Sequence, residues 1–355
     1  MGDSKPQAGD AATLSIVPSP PRRPVLLVTG GAGYIGSHAV LALRDAGESV
    51  VVIDDLSTGR RDAVPADVPL IIGDAGDAAL LADVFSAQDV EAVLHFAGSI
   101  QVGESVADPI KYYRNNVGTS LALVAAAMAA GVRHFLFSST ASVYGVPAED
   151  PIPEDCQKAP INPYGASKLM VERLLADVAV ISPMNHGVLR YFNVAGADPA
   201  GRSGQSTPGA THLIKVALAA ALGQRDGVDI FGDDYPTGDG TGIRDYIHVS
   251  DLAAAHVAAL AALRAEPARS FTCNIGYGHG YSVNQVLDAV DRVTGARIAR
   301  RVQPRRAGDP PTLVADVTRR RALLDWQPRF DDIDRIIADA LAWEQQLQRR
   351  LAESN

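Results

Sequence analysis

Cysteine is almost absent from this chain. Of its 355 residues only Cys156 and Cys273 carry a thiol, so no disulfide framework staples the fold and a reducing, cytoplasmic compartment is the expectation. Long apolar runs are missing too. None reaches the roughly 18 residues that a bilayer-crossing helix needs, which argues against a membrane protein. Basic charge is in deficit: 32 Lys and Arg stand against 41 Asp and Glu, a formal net charge of −9. Without a basic face, broad binding of nucleic acid or an anionic membrane is not expected. A local cluster of arginines would still hold a phosphorylated small molecule. Residues 1–23 lack the basic-then-apolar order of a secretory signal. They are polar, run into a proline-rich stretch and read as a disordered tail. No internal repeat stands out, and no metal site is expected.

What is present suffices for a sizeable core. Hydrophobic residues make up 47% of the chain and charged residues 21%, an ordinary balance for a soluble protein. Short apolar runs recur at 25–29, 49–54, 69–73, 92–96, 134–138 and 187–192. Each is rich in Val, Ile, Leu or Phe and shows no polar alternation, as in parallel strands covered on both faces. Helical patterns such as 34–46 and 120–130 lie between them. The alternation predicts an α/β fold with a Rossmann-type, doubly wound parallel sheet. After about residue 195 the texture changes. Gly and Pro become dense at 196–209 and 232–242, and strands thin out, with 270–275 the clearest. We therefore expect a nucleotide-binding domain over 24–195 and a smaller, interleaved lobe over 196–355, closing on an amphipathic helix at 333–351.

The first strand runs straight into Gly30-Gly31-Ala32-Gly33-Tyr34-Ile35-Gly36, followed by a helical pattern. Glycines at this spacing permit a tight turn, let backbone approach a pyrophosphate and pack helix against strand, and the helix N-terminus then faces the negative charge. The glycine pattern alone is weak; the strand before it and the helix after it give it weight. Asp54 ends the next strand, eighteen residues beyond Gly36. There a carboxylate accepts hydrogen bonds from ribose hydroxyls and repels a 2′-phosphate, which favours NAD over NADP. The bland alternative is that Asp54 and Asp55 merely open a turn. Arg60 and Arg61 nearby could hold a 2′-phosphate, although a charged pair in a loop is more often simply solvated. Asp74 ends the third strand and Phe96-Ala97-Gly98 the fourth, where a dinucleotide would lie.

Tyr164 and Lys168 stand four residues apart behind Asn162 and Pro163, which suit a helix cap and first position. That spacing puts both side chains on one helix face. A phenol is a poor base at neutral pH, but a nearby cation lowers its pKa, and Tyr164 then becomes a credible proton acceptor. A lone Tyr-x-x-x-Lys is a common accident and usually an exposed pair. Here it follows the fifth strand, whose end carries Thr140, at the sheet edge where open α/β folds bind ligands.

Taken together, Gly30–Ser37, His95-Phe96-Ala97-Gly98 with Val102-Gly103-Glu104-Ser105, Tyr112–Val117, Tyr164–Lys168, Arg190-Tyr191-Phe192-Asn193, Ile230-Phe231-Gly232, Arg244–Val249 and Pro304–Asp309 resemble the UDP-glucose 4-epimerases of the extended short-chain dehydrogenase/reductase family, in the family's order and over about residues 25–345. The resemblance implies NAD as cofactor, held by Gly30, Gly33, Tyr34, Ile35, Gly36, Asp54, Asp55, Ser57, Thr58, Gly59, Asp74, Ala75, Phe96, Ala97, Gly98, Asn115, Tyr164, Lys168 and Phe192. It implies a UDP-hexose substrate, met by Thr140, Tyr164, Asn193, His212, Leu213, Ile230, Phe231, Arg244, Arg306, Asp309 and Leu313. The implied catalytic set is Tyr164, Lys168 and Thr140. Tyr164 takes the proton of the sugar 4-hydroxyl as hydride leaves C4, the 4-keto sugar turns, and both return on the other face. Arg244 and Arg306 would fork onto the diphosphate and Asp309 would hold the uridine ribose.

Some positions depart from the pattern. Thr140 replaces a frequent Ser and keeps the hydroxyl, His212 stands where some members carry Asn, and Ile100 where some carry Lys. Leu313 occupies a position where a large Tyr tightens the pocket around the sugar's C2 substituent, so N-acetylated sugars are also expected to fit. The resemblance further implies a homodimer through helices near 105–130 and 164–181. UDP-pentose or UDP-glucuronate epimerisation shares the same chemistry and stays open as an alternative. A 4,6-dehydratase is disfavoured because Ala141 and Ser142 follow Thr140 where an acid pair is needed. A non-catalytic NAD-binding scaffold is the rival from a different class, and the presence of both Tyr164 and Lys168 counts against it.

Overall fold

A computed structural model describes residues 24–207, 209–306 and 308–353. The tail expected at 1–23 lies outside these residues, as does Ala307. Val25–Thr29 forms β1. Strand and helix then alternate as α1 Tyr34–Asp45, β2 Val50–Asp54, β3 Leu70–Ile72, α2 Ala78–Ala87 and β4 Val90–His95. Short helices α3 Val102–Ala107 and α4 Pro109–Tyr112 lead through a π-helical turn, Tyr113–Gly118, into α5 Thr119–Ala129. β5 His134–Thr140, α6 Pro163–Ile181 and β6 Asn185–Tyr191 follow. The second half supplies β7 Asn193–Ala195, α7 Leu213–Ala221, β8 Val228–Phe231, β9 Ile243–Arg244, β10 Tyr246–His248 and α8 Val249–Ala265. It ends with β11 Phe271–Ile275, β12 Tyr281–Ser282, α9 Val283–Thr294, β13 Arg300–Gln303, β14 Thr312–Leu313, α10 Thr318–Leu323 and α11 Ile333–Glu353.

Seven strands build one parallel sheet in the order β11-β6-β5-β4-β1-β2-β3. The apolar runs explain it. Successive side chains leave opposite faces of a strand, so Leu26, Val28, Val50 and Val52 enter one core while Leu27, Val51 and Ile53 enter the other. Helices close both faces, and each fully buried Val, Leu or Ile stabilises the fold by about 1.5–3 kcal/mol. Strand order turns around at β1, whose neighbours are β2 and β4. That switch point opens a crevice at the carboxyl ends of the strands.

Two expectations differ from what is observed. The strand expected at 270–275 does not belong to the second lobe: β11 pairs in parallel with β6 and forms the edge of the main sheet. The stretch 105–130 is not one helix. Pro109 lacks the N–H a continuing helix needs and its ring crowds the preceding turn, so α3 ends and Asp108 accepts from Lys111 N at 3.1 Å to cap a new start. The remaining strands form three small sheets, β10-β7, β12-β9-β14 and β13-β8. α8 returns from this second half to pack on α1, and α11 packs on α9 and α7. No helix among the described residues is long and apolar enough to cross a membrane.

Candidate active site

The glycine loop is shaped by contacts that leave no room for side chains. Gly30 has φ +71°, and a Cβ there would come within 2.6 Å of Ala97 N. Gly36, in the first turn of α1, lies so close that a Cβ would sit 2.1 Å from Gly30 O. Gly33 caps α1 without any side-chain hydrogen bond, so the first-turn N–H groups, beginning with Tyr34 and Ile35, have no partner inside the helix. Tyr34 ties the loop to the second lobe, its hydroxyl donating to Gly196 O at 2.7 Å, and burial pushes its phenol pKa up.

Asp54 sits at the end of β2, nearly buried. Its carboxylate accepts from Ala32 N and Leu56 N, both at 2.9 Å, and burial raises its pKa against those two bonds. A carboxylate offers about four acceptor positions, so half remain for ligand hydroxyls. Leu56 was not singled out by the sequence. Its φ of +59° is the one positive value at a non-glycine among the described residues, and that strained turn aims its N–H back at Asp54. The loop beyond is clamped down by Arg60 N donating to Ala32 O at 3.0 Å, with Ser57 folded onto Asp55 and Gly59 against Asp54. Asp74, exposed just beyond β3, accepts from Gly76 N at 2.7 Å, beside buried Ala75. Open helix N–H groups facing a carboxylate and a glycine-lined floor are a donor set that fits a dinucleotide.

Tyr164 and Lys168 lie on α6, started by Asn162 Oδ1 accepting from Gly165 N at 2.8 Å with Pro163 at the first helical position. Lys168 is 3% exposed. Its ammonium donates to Ser138 O at 3.0 Å and lies 4.9 Å from the centre of the Phe137 ring. Burial pushes its pKa down to about 8, with Glu172 opposing. Tyr164 is half-buried. Burial raises its pKa and the Thr140 hydroxyl beside it acts in the opposite direction. Thr140 ends β5, and its Oγ1 accepts from Ser142 N at 3.1 Å.

Beneath this pair runs a buried network that the sequence did not disclose. Arg190 on β6 forks onto Glu172 of α6 at 2.6 and 3.0 Å, Ser139 donates to the same carboxylate at 2.5 Å, and Arg190 also reaches Tyr144 OH and Glu154 O. Its members come from four separate segments, so no local spacing marks it. Asn116 is the second such residue: the sequence pointed to Asn115, which is exposed and donates to Ser99 Oγ, whereas Asn116 is buried and bonds Ser99 and Ser167.

The substrate candidates fall into three groups. Asn193, His212 and Leu213 line one cleft together with Tyr34, Gln205 and Lys215; His212 caps α7 and Leu213 begins it. Leu313, together with the cofactor candidate Phe192, packs against Ala141, Val143 and Tyr144, the turn that follows Thr140, and so stands near the catalytic pair. Arg244 is the register partner of Leu313, while Arg306 lies 3.8 Å over the ring of Phe231, next to Ile230 at the end of β8. Asp309 is exposed, its N–H donating to Arg306 O at 3.3 Å. Among the described residues no group of His, Cys, Asp and Glu is arranged to hold a metal.

The profile of the NAD dependent epimerase/dehydratase family matches residues 26–276. An Azospirillum brasilense protein named UDP-glucose 4-epimerase is 55% identical over 93% of this chain and 95% of its own length. The crystal structure of UDP-glucose 4-epimerase from Bifidobacterium longum, in complex with NAD+ and UDP, superposes with a TM-score of 0.86 at 38% identity, covering 91% of this chain and 98% of that one. The structure of the UDP-Glc/GlcNAc 4-epimerase from Campylobacter jejuni gives 0.81 at 43% identity, over 91% of this chain and 100% of that one.

Proposed function

The chain belongs to the NAD dependent epimerase/dehydratase family, and from that premise we propose that it interconverts UDP-glucose and UDP-galactose at C4. The observation that carries the reading is the convergence of an uncapped helix N-terminus, Asp54, and the Tyr164–Thr140 pair at one edge of a parallel sheet. NAD, when bound, supplies the hydride acceptor and a positive charge. Asp54 holds the adenosine ribose, and the N–H groups of Tyr34 and Ile35 face the pyrophosphate. Tyr164 Oη removes the proton of the sugar 4-hydroxyl and later returns it, with Thr140 bonding the same oxygen. Lys168 orients the cofactor side of the cleft. Arg244 and Arg306 grip the diphosphate, Asn193 and the start of α7 also meet it, and Asp309 holds the uridine ribose. The sugar turns about its diphosphate linkage, so the protein holds the nucleotide firmly and the ring loosely.

The remaining assignments belong to the same proposal. Residues 24–195 serve mainly the cofactor and 196–355 mainly the substrate. Leu313, a half-buried side chain smaller than Tyr, supports acceptance of UDP-GlcNAc and UDP-GalNAc as well. Val106 and Ile110, 65% and 61% exposed on α3 and α4, with exposed Leu121 and Met170 on neighbouring α5 and α6, support a homodimer through this face. Two buried free thiols suit a cytoplasmic protein. The test is Tyr164→Phe. This variant is expected to keep its NAD and lose epimerisation by about 10²–10⁴-fold; undiminished turnover would overturn the assignment.

A further inference from the structure

Six residues from five segments are joined by an unbroken run of hydrogen bonds through the interior: Thr29, His95, Ser120, Asn116, Ser167 and Tyr164. The link between Ser120 and Asn116 fixes the direction of its neighbours. Ser120 Oγ donates its one proton to Asn116 O at 2.6 Å, so toward His95 Nε2, 2.8 Å away, it must accept. His95 therefore carries its proton on Nε2. Its Nδ1 accepts, and Thr29 Oγ1 donates to it at 2.7 Å. The imidazole is buried beside Phe135 and Phe137. Burial, reinforced by Lys168, pushes its pKa down to about 3, so the ring is neutral.

Asn116 carries the run onward. It lies in the π-helical turn Tyr113–Gly118, a local geometry frequent at functional sites. Its side-chain Nδ2 donates to Ser167 Oγ at 2.9 Å and to Ser99 O at 3.0 Å, while Oδ1 accepts from Ser99 N at 2.7 Å. Ser167 Oγ in turn donates to Tyr164 O at 2.7 Å. Thr29 is the last residue of β1, immediately before the glycine loop, and Ser167 immediately precedes Lys168. The run thus spans from the floor of the dinucleotide loop to the helical turn that bears both Tyr164 and Lys168.

We propose that His95 is a positioning residue: held in a single tautomer, it ties β1 to the π-turn and, through Asn116 and Ser167, fixes the height of Tyr164 and Lys168 above the dinucleotide loop. The proposal rests on the reading of Tyr164 as the proton acceptor. What matters is the donor that His95 presents to Ser120, not the charge of the ring. If that donor is lost, Ser120 no longer has a partner on its acceptor side, the π-turn gains freedom, and the proton-transfer pair drifts. Misplacement by about 1 Å costs on the order of a hundredfold in rate.

Two near-isosteric amides separate the two ends of the imidazole. In His95→Gln the amide N–H reaches toward Ser120 and the Thr29 bond is lost. In His95→Asn the amide matches the Nδ1 position and reaches only Thr29. Each is measured for kcat, KM for UDP-galactose, bound NAD and Tm, beside Ser120→Ala. His95→Asn and Ser120→Ala are expected to lose about tenfold or more in kcat, with KM and bound NAD nearly unchanged, and His95→Gln to recover most of that loss. Equal kcat in the two amide variants, or parental kcat in Ser120→Ala, overturns the proposal, as does a kcat that follows only Tm. Tyr164→Phe is assayed in parallel: if it keeps parental turnover, the underlying reading fails whatever the His95 variants do.

Discussion

Lys168 pays a penalty for where it sits. Its ammonium is buried and its pKa has fallen to about 8, below the ordinary value near 10.4. The unfolded chain therefore binds more protons than the folded one between about pH 8 and 10.4, and stability rises with pH across that window. Below it the penalty is at its full size. Lys168→Met is accordingly expected to be more stable than the parent at neutral pH, by roughly 2–3 kcal/mol, and far less active; urea titrations near pH 7 and near pH 10 would show the gap closing. An equal gap at both values contradicts this. Leu313 raises a second question at the residue scale. Leu313→Tyr fills space beside Phe192 and is expected to remove turnover of UDP-GalNAc while sparing UDP-galactose; parallel loss of both would contradict the specificity reading. Asp54, Tyr164 and Lys168 were legible in the sequence because their types and spacings are bound to chemistry. The direction of the Lys168 ammonium was not. It depends on the Ser138 carbonyl, thirty residues away.

At the scale of single elements, the strand–loop–helix unit from β1 to α1 is the most tightly specified. A methyl group on Gly36 has nowhere to go, because the atom it meets is backbone. Gly36→Ala is expected to lose its bound nucleotide and to destabilise the fold by about 1–3 kcal/mol, read from nucleotide released on denaturation and from Tm. Nucleotide content equal to the parent's would show that the loop tolerates the shift. The strands of this unit were visible as apolar runs with ends within a residue or two, since burial on both faces leaves an unmistakable composition. Two features were less open. Pro109 signals in sequence that 105–130 must break, but nothing local announces the π-turn that follows. β11 looks like a strand in either lobe, and only the long crossover through α8 sends it to the edge of the main sheet.

For the molecule as a whole, four buried histidines set the acid limit. Burial holds His38, His186 and His256 near pKa 4 and His95 near 3, all below the ordinary 6.5. The unfolded chain takes up these protons first as pH falls, so the stability they support is present above about pH 6.5 and is lost progressively toward pH 4 for three of them, by up to roughly 3 kcal/mol per ring, and toward pH 3 for His95, by up to roughly 5 kcal/mol. Chemical denaturation at falling pH should show a steep decline below neutrality, and a flat profile would contradict it. The class of fold was legible from strand–helix alternation. The return of α8 onto α1 and the exposed face of α3 to α6 were not, because both depend on distant packing.

The central claim is that hydride leaves C4 of the sugar and comes back to the same carbon in one closed site. UDP-galactose carrying deuterium at C4, incubated with the purified protein and no added NAD, tests it most directly. The account predicts UDP-glucose with the deuterium retained at C4. Loss of the label to solvent, its appearance at another carbon, or no interconversion by NAD-loaded protein would contradict it.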